Sequence, residues 1–375
     1  MKKMLKFLAP AGLFLLLLLA GCSAASSTGE GENPPEETVR VTDLLGREVT
    51  VKKDVEKVVA IGPGALRLYL YVGDKALLAG VEQIEKDDPA GKPYLLANLE
   101  IQNLPVIGPG GPNTSPDAEK ILAVKPDVIF TTYTTEKSAA DELQAKTKIP
   151  VIALDYGETS VFDPVLYESV KLIGKVIGKE KRAEEVVAFF EEVKEDLHNR
   201  TKNIPEEEKY TAYIGALGFR GSHGITSTRG DYPLFNAVHA VNVVDETGRT
   251  GGVMIDKEKL LEWDPDKIFL DLGGLALVIE DYKKNKNFYR SLTAFKEGEI
   301  YSQLPYNFYS TNIDTALADA YYIGKVLYPE RFSDINPEEK ADEIYEFLVG
   351  KKLYKRMVED FEGGFGKIPL QLFEK

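Results

Sequence analysis

Glu119–Phe130 reads EKILAVKPDVIF, and Glu258–Phe269 reads EKLLEWDPDKIF. Glu, Lys, Leu, Pro, Asp, Ile and Phe fall at the same seven places in both twelve-residue stretches. In each, a helical pattern stops at Pro-Asp, and a strand rich in apolar residues follows. Two copies of one helix–turn–strand unit predict two lobes built on one plan.

Around both copies the chain alternates in the same way. Short apolar runs (Val58–Ile61, Val128–Phe130, Val151–Leu154 and later Tyr210–Ala216 and Lys267–Asp271) are separated by helical patterns such as Ala65–Tyr71 and Asp117–Val124. Near-continuous apolar runs suit parallel strands covered by helices on both faces. Between the halves lies a stretch without strands. Within it, Val186, Val187, Phe190, Val193 and Leu197 form one apolar stripe, with Gly174 and Gly178 as breaking points upstream. The expected fold class is α/β: two Rossmann-like lobes, 39–165 and 205–375, joined by a long connecting helix segment, 166–204, with a ligand cleft between them. VRVTDLLGREVTV, from Val39, opens the folded part as a hairpin.

The residues before it read as an address. Lys2, Lys3 and Lys6 precede an apolar run that ends in Leu19-Ala20-Gly21-Cys22. That run is too short to span a bilayer, and a polar linker follows it, so 1–21 is expected to be a secretory signal. Residues 22–38, SAASSTGEGENPPEET after the cysteine, predict a flexible tether. Cys22 is the sole cysteine, so no disulfide is available within the chain. The formal charge of −14 argues against nucleic acid and against a basic membrane-binding face. No G-x-S-x-G elbow, H-E-x-x-H helix or Walker loop is present, and three dispersed histidines make a multi-histidine zinc site improbable. The chain is expected not to be an enzyme.

The ends of parallel strands, where α/β sheets gather ligands, select the candidate site residues. Gly62-Pro63-Gly64 follows the first strand, but Arg67 stands where a dinucleotide fingerprint needs its third glycine. Gly64 is therefore expected only as a cleft border. Asn113 and Thr114 in the glycine-rich loop 108–115 either donate to an anion or cap the next helix. Tyr133 and Tyr156 follow two further strands. In the second half, Arg220 and His223 form an electropositive loop suited to an anion, with His223 also a possible metal ligand. Tyr306 and Tyr309 offer aromatic walls. His239 reads as a histidine within a helix, and His198 as a solvent-facing one.

Together these features resemble the substrate-binding lipoproteins of ABC importers, in the class that serves iron complexes, haem and vitamin B12. Leu-Ala-Gly-Cys22 resembles the bacterial lipobox, VTDLLGREVTV resembles the family's opening, and Asn312–Lys325 (NIDTALADAYYIGK) resembles its late helix. The resemblance implies a monomer held to the membrane by lipid on Cys22, an extracytoplasmic location, and a permease and ATPase as partners. It implies no intrinsic cofactor and only modest closure about a rigid helix. It also implies that Glu119 and Glu258 dock onto permease arginines. The ligand is expected to be a metal complex of the ferric siderophore, haem or corrinoid type. A molybdate- or tungstate-like oxyanion is the alternative, and a sensor or adhesin lipoprotein the alternative outside transport.

Overall fold

Both copies of the repeated motif fold alike. In the computed structural model, which describes residues 37–111, 114–218 and 221–374, helices Ala118–Val124 and Lys257–Trp263 each end at a left-handed residue. These are Lys125 (φ 50°) and Asp264 (φ 39°). Each precedes a proline, whose ring disfavours the right-handed helical region for its predecessor. The aspartate after each proline then fixes the neighbouring strand. Asp127 Oδ2 accepts the backbone N–H groups of Glu56 and Lys57, both at 2.8 Å. Asp266 Oδ2 accepts from Thr211 N at 2.8 Å and from Thr211 Oγ1 at 2.7 Å. Proline stops the helix, and aspartate registers the sheet.

Strands β1 (Thr38–Thr42) and β2 (Glu48–Lys52) form the expected antiparallel hairpin. Its turn is held by Asp43, which accepts from Arg47 N and from Arg47 Nη1, each at 2.9 Å. Strands β3 (Val58–Ile61), β4 (Val128–Thr131) and β5 (Val151–Ala153) make a parallel sheet, buried at every residue. The second half contributes β6 (Thr211–Gly215), β7 (Ser227–Gly230), β8 (Val241–Asn242), β9 (Gly251–Met254), β10 (Lys267–Asp271), β11 (Ile300–Gln303) and β12 (Gly366–Lys367). Its sheet runs in the order β12-β11-β10-β6-β8, parallel except for β12, while β7 and β9 form a separate antiparallel ribbon.

The stretch between the sheets is two helices rather than one. Pro164–Ile177 ends at Gly178 (φ 67°), and Glu180–Thr201 follows at once. They pack so closely that a Cβ on Gly174 would lie 2.5 Å from the Ala183 Cβ. Only the second helix is the connector, and its 22 residues reach about 33 Å at 1.5 Å per residue. Its predicted stripe, Val186, Val187, Phe190, Val193 and Leu197, is buried.

The C-terminal helices add what the repeat does not announce. Ile313–Leu327 packs on the connector, and Pro337–Val349 packs on the first-lobe helices Ala65–Val72 and Pro93–Ala97. Arg182 on the connector donates to the carbonyls of Tyr71 (3.0 Å) and Phe347 (2.6 Å). One continuous apolar cluster therefore reaches from Val58 and Phe130 to Ile214 and Phe269. Among the described residues, no helix is long and apolar enough to cross a membrane.

Phe190 sits at the centre of this shared core, 1 % exposed and in ring contact with Tyr71 and Tyr167. Phe190→Ala is expected to cost about 3–5 kcal/mol in urea unfolding. A loss below about 1 kcal/mol would show that the connector does not depend on that contact.

Candidate ligand-binding cleft

The carboxyl ends of strands from both sheets face one cleft of about 510 Å³. The first lobe contributes Pro63 after β3, Thr132 and Tyr133 after β4, and Gly111 and Thr114 from the glycine-rich loop. The second contributes Leu217 and Gly218 after β6, Ser227–Arg229 and Gly252 from the ribbon, and Tyr306, Asn307 and Tyr309–Thr311 after β11.

One wall is organised by Glu82, a buried residue that the sequence reading did not single out. Its Oε1 accepts from Tyr133 Oη at 2.8 Å, and its Oε2 from Tyr309 Oη at 3.1 Å and from Gly62 N at 2.9 Å. The two phenol oxygens are 3.0 Å apart, and Thr114 Oγ1 lies 2.8 Å from Tyr133 Oη. Burial raises the Glu82 carboxyl above its usual range, and the hydrogen bonds from Gly62, Tyr133 and Tyr309 act against that rise. Tyr133 is pushed up to about 12, mainly by burial, and Tyr309 higher still through burial and the Glu82 charge. Both phenols therefore keep their protons at neutral pH.

Tyr309 reaches Glu82 from a strained backbone. Tyr309 (φ 50°) and Ser310 (φ 77°) are both left-handed, which side-chain-bearing residues resist by roughly 1–2 kcal/mol each. Arg67 holds the turn in place. This guanidinium, 0 % exposed, donates to the carbonyls of Phe308 (2.7 Å) and Tyr309 (3.4 Å), to Asn312 Oδ1 (2.7 Å) and to Tyr156 Oη (3.2 Å). It also lies 4.6 Å over the Tyr94 ring.

The opposite wall carries Arg229. Its Nη2 donates to the Glu158 carbonyl at 3.2 Å, while its Nε is buried with no hydrogen-bond partner among the described residues. A buried donor left unmet costs about 1–3 kcal/mol. Next to Arg229 in the strand, Thr228 is buried against the Tyr213 phenol, which donates to the Ile225 carbonyl at 2.6 Å. Burial pushes Tyr306 up to about 12, opposed by the positive charge of Arg229. Behind Tyr306, Asp271 is 1 % exposed, its Oδ2 has no hydrogen-bond partner among the described residues, and burial pushes it up to about 7.

Of the expected site residues, Thr114, Tyr133, Tyr306 and Tyr309 line this cleft. Gly64 and Tyr156 stand behind the wall, where the Tyr156 hydroxyl donates to the Gly64 carbonyl at 3.0 Å. A Cβ on Gly64 (φ 79°) would lie 2.2 Å from that hydroxyl, so the glycine makes room for the tyrosine. The helix after the glycine-rich loop is capped by Asp117, whose side chain accepts from Lys120 N, leaving Thr114 to face the cleft. His223 is half-buried and outside the lining residues. Cys22, Asn113 and Arg220 lie outside the described residues. His239 is not within a helix, because Pro233–Ala237 ends before it. It has φ 53°, and its Nε2 is 2.9 Å from Nδ1 of the exposed His198. Glu119 and Glu258 are exposed, at equivalent places in the first turns of the two repeated helices. Among the described residues no three His, Cys, Asp or Glu side chains converge to hold a metal ion.

Two lobes, a helical connector and a cleft at the strand ends define a two-lobed solute-binding protein, and sequence comparison agrees. The profile of the periplasmic binding protein family matches residues 58–305, and the chain belongs to that family. It is 22 % identical to the uncharacterized ABC transporter substrate-binding lipoprotein YvrC of Bacillus subtilis, over 86 % of this chain and 96 % of that one. It is 24 % identical to the molybdate-binding protein MolA of Haemophilus influenzae, over 82 % of this chain and 89 % of that one. A periplasmic solute-binding protein from Veillonella parvula has the same fold, with a TM-score of 0.69 at 17 % identity over 87 % and 97 % of the two chains. The chain is thus an extracytoplasmic substrate-binding protein of an ABC transporter, not an enzyme. It carries a transported ligand rather than an intrinsic cofactor, and works with a permease and an ATPase.

Asp271 gives the fold a pH signature. An unfolded aspartate releases its proton near 4, but native Asp271 holds it up to about 7. Between those values the native state binds the extra proton, so stability falls as pH rises. At about 1.4 kcal/mol per unit, the loss reaches at most about 4 kcal/mol. Asp271→Asn is expected to remove part of the difference between urea midpoints at pH 5 and pH 7.5, by raising the latter, because the buried carboxyl of Asp319 is raised as well. An unchanged difference would exclude Asp271 as its source.

Proposed function

We propose that the cleft binds a metal complex of the ferric siderophore, haem or corrinoid type and delivers it to the permease. The observation carrying this is the size of a cleft walled by tyrosines. Its 510 Å³ falls in the roughly 300–1,000 Å³ range of organic-ligand pockets, and Tyr133, Tyr306 and Tyr309 supply flat apolar faces with polar tips. A bare tetrahedral oxyanion fills only on the order of 100 Å³, a few times the ~30 Å³ of one water.

Two observations favour an oxyanion as the second reading. MolA, which matches most of this chain, binds molybdate by name, and Arg229 offers fixed positive charge in the cleft. The absorption spectrum and elemental content of the purified protein separate the two. An iron charge-transfer or Soret band with stoichiometric metal is expected. Bound molybdenum or tungsten in a colourless protein would replace the first reading with the second.

The finer features of the transport role belong to the same proposal. Cys22 carries lipid and anchors a monomer through the tether 22–38. Glu119 and Glu258 meet permease arginines as two exposed acidic points at equivalent places in the repeat. Reversing both to lysine is expected to abolish permease binding and uptake while leaving ligand affinity within about twofold. Uptake and permease binding that survive the double reversal would overturn the docking role of these two residues, whereas a protein that supports no uptake before the reversal would favour a sensor or adhesin.

A further inference from the structure

We infer that His198 and His239 form a two-imidazole site for a divalent transition-metal ion, Cu(II) or Ni(II), in a crevice separate from the ligand cleft. The site goes beyond the substrate-binding reading and does not rest on it.

The chain has three histidines in 375 residues, and the fold brings two of them, dispersed in the sequence, into contact. His198 Nδ1 lies 2.9 Å from His239 Nε2, with the ring centroids 4.9 Å apart and the planes tilted by 56°. The rings meet nitrogen to nitrogen rather than face to face. His198 stands in the last turn of the connector helix, and His239 just past the second-lobe helix Pro233–Ala237. Both line a crevice of about 220 Å³, to which Thr159 and Phe162 of the first lobe also contribute. None of its lining residues is shared with the ligand cleft.

The backbone holds His239 there against its preference. Its φ of 53° is a left-handed value that glycine adopts freely and residues with a Cβ resist. Its N–H donates to the Asn236 carbonyl at 3.1 Å, and its own carbonyl accepts from Tyr328 Oη at 3.3 Å. A helix end that glycine would close without strain carries an imidazole instead.

Two imidazole nitrogens bound at about 2.0 Å and at right angles sit about 2.8 Å apart, whereas a tetrahedral pair sits about 3.3 Å apart. The observed 2.9 Å therefore suits the square or octahedral positions of Cu(II) and Ni(II) better than those of Zn(II). The same spacing is that of an N–H···N hydrogen bond, so ion and proton compete for one place. Ion binding requires no net loss of protons from two neutral rings. The donating ring moves its proton to its outward nitrogen, and both inner nitrogens become ligands. Burial and the charges of His198 and Lys209 hold His239 below the usual histidine range, against Glu206, so its imidazole is neutral at pH 7. Lys209 is itself paired with Glu206. Lys194, one turn before His198, lines the crevice as the cation that opposes the ion. Among the described residues no third His, Cys, Asp or Glu completes the set, so water fills the other positions of a bound ion.

The test titrates untagged, metal-stripped wild type, His198→Gln, His239→Asn and Lys194→Gln with Cu(II), Ni(II) and Zn(II). Asparagine is chosen at 239 because it tolerates the left-handed backbone. Folding of each variant is read from its thermal midpoint before metal is added. One equivalent of Cu(II) or Ni(II) is expected to bind, Ni(II) more tightly than Zn(II), and to raise the wild-type midpoint. Either histidine substitution should weaken binding about 10-fold or more, and Lys194→Gln should tighten it. Electron paramagnetic resonance of the Cu(II) form should show coupling to two imidazole nitrogens, reduced to one in each histidine variant. The inference falls if no saturable binding occurs, if neither histidine substitution changes it, or if binding is lost in His223→Gln instead. Tighter binding of Zn(II) than of Ni(II) overturns the assignment of the ion.

Discussion

A guanidinium with no exposed surface and, among the described residues, no carboxylate bonded to it holds the two lobes in register. Arg67 grows from the helix after β3 and ends on the carbonyls of Phe308 and Tyr309 and on the Asn312 amide oxygen. A charge so placed is tolerable only when acceptors surround it, because desolvation removes its hydration. The turn 308–312 supplies those acceptors, and Asn312 in turn donates to the Gly91 carbonyl at 2.7 Å. The strain at Tyr309 and Ser310 is offset by this demand. Once the turn is fixed, the Tyr309 hydroxyl meets Glu82 and Tyr133, and one wall of the cleft is complete.

The cleft is thus built from two unlike halves. One is closed upon itself, with every Glu82 oxygen occupied. The other leaves Arg229 Nε without an acceptor among the described residues. Binding proteins need both: a finished wall fixes shape before the ligand arrives, and an unfinished one gives the ligand something to complete. The same division explains why a cleft with three tyrosines need not be a direct metal centre. Burial and Glu82 keep the Tyr133 and Tyr309 phenols protonated, as donors rather than phenolates.

Much of the fold was legible because it rests on local rules. Pro126 and Pro265 mark helix ends, Asp127 and Asp266 mark strand starts, and the apolar runs of β3, β4 and β10 need no partner to be read. Tyr133 was legible for the same reason, as an aromatic residue just past β4, whereas Thr114 was read from its glycine-rich loop and Tyr306 and Tyr309 as aromatic walls. Glu82, Arg67 and Arg229 were not. Glu82 lies in a short irregular turn, and its meaning comes from Tyr309, far along the chain. Arg67 was noticed only as a departure from a nucleotide motif, since its partners are carbonyls that any residue could supply. Arg229 sits in STRG, a run whose pairing with Gly251–Met254 no period announces. The second helix of the connector hairpin was visible in its stripe, and the hairpin itself only in Gly174 and Gly178.

The apolar cluster that runs through the connector from one sheet to the other has a consequence for how the molecule comes apart. Two lobes with separate cores would melt in two steps, and either would survive alone after a cut in the linker. Here Phe130 and Phe269 belong to one buried network, and the last long helix, Pro337–Val349, closes over the first lobe. The ends of the described chain are therefore interdependent: β3 has no finished shelter until the residues near 345 have arrived. Such a chain matures only after its C-terminal helices are available, resists partial digestion, and is lost as a whole when any part of that seam opens.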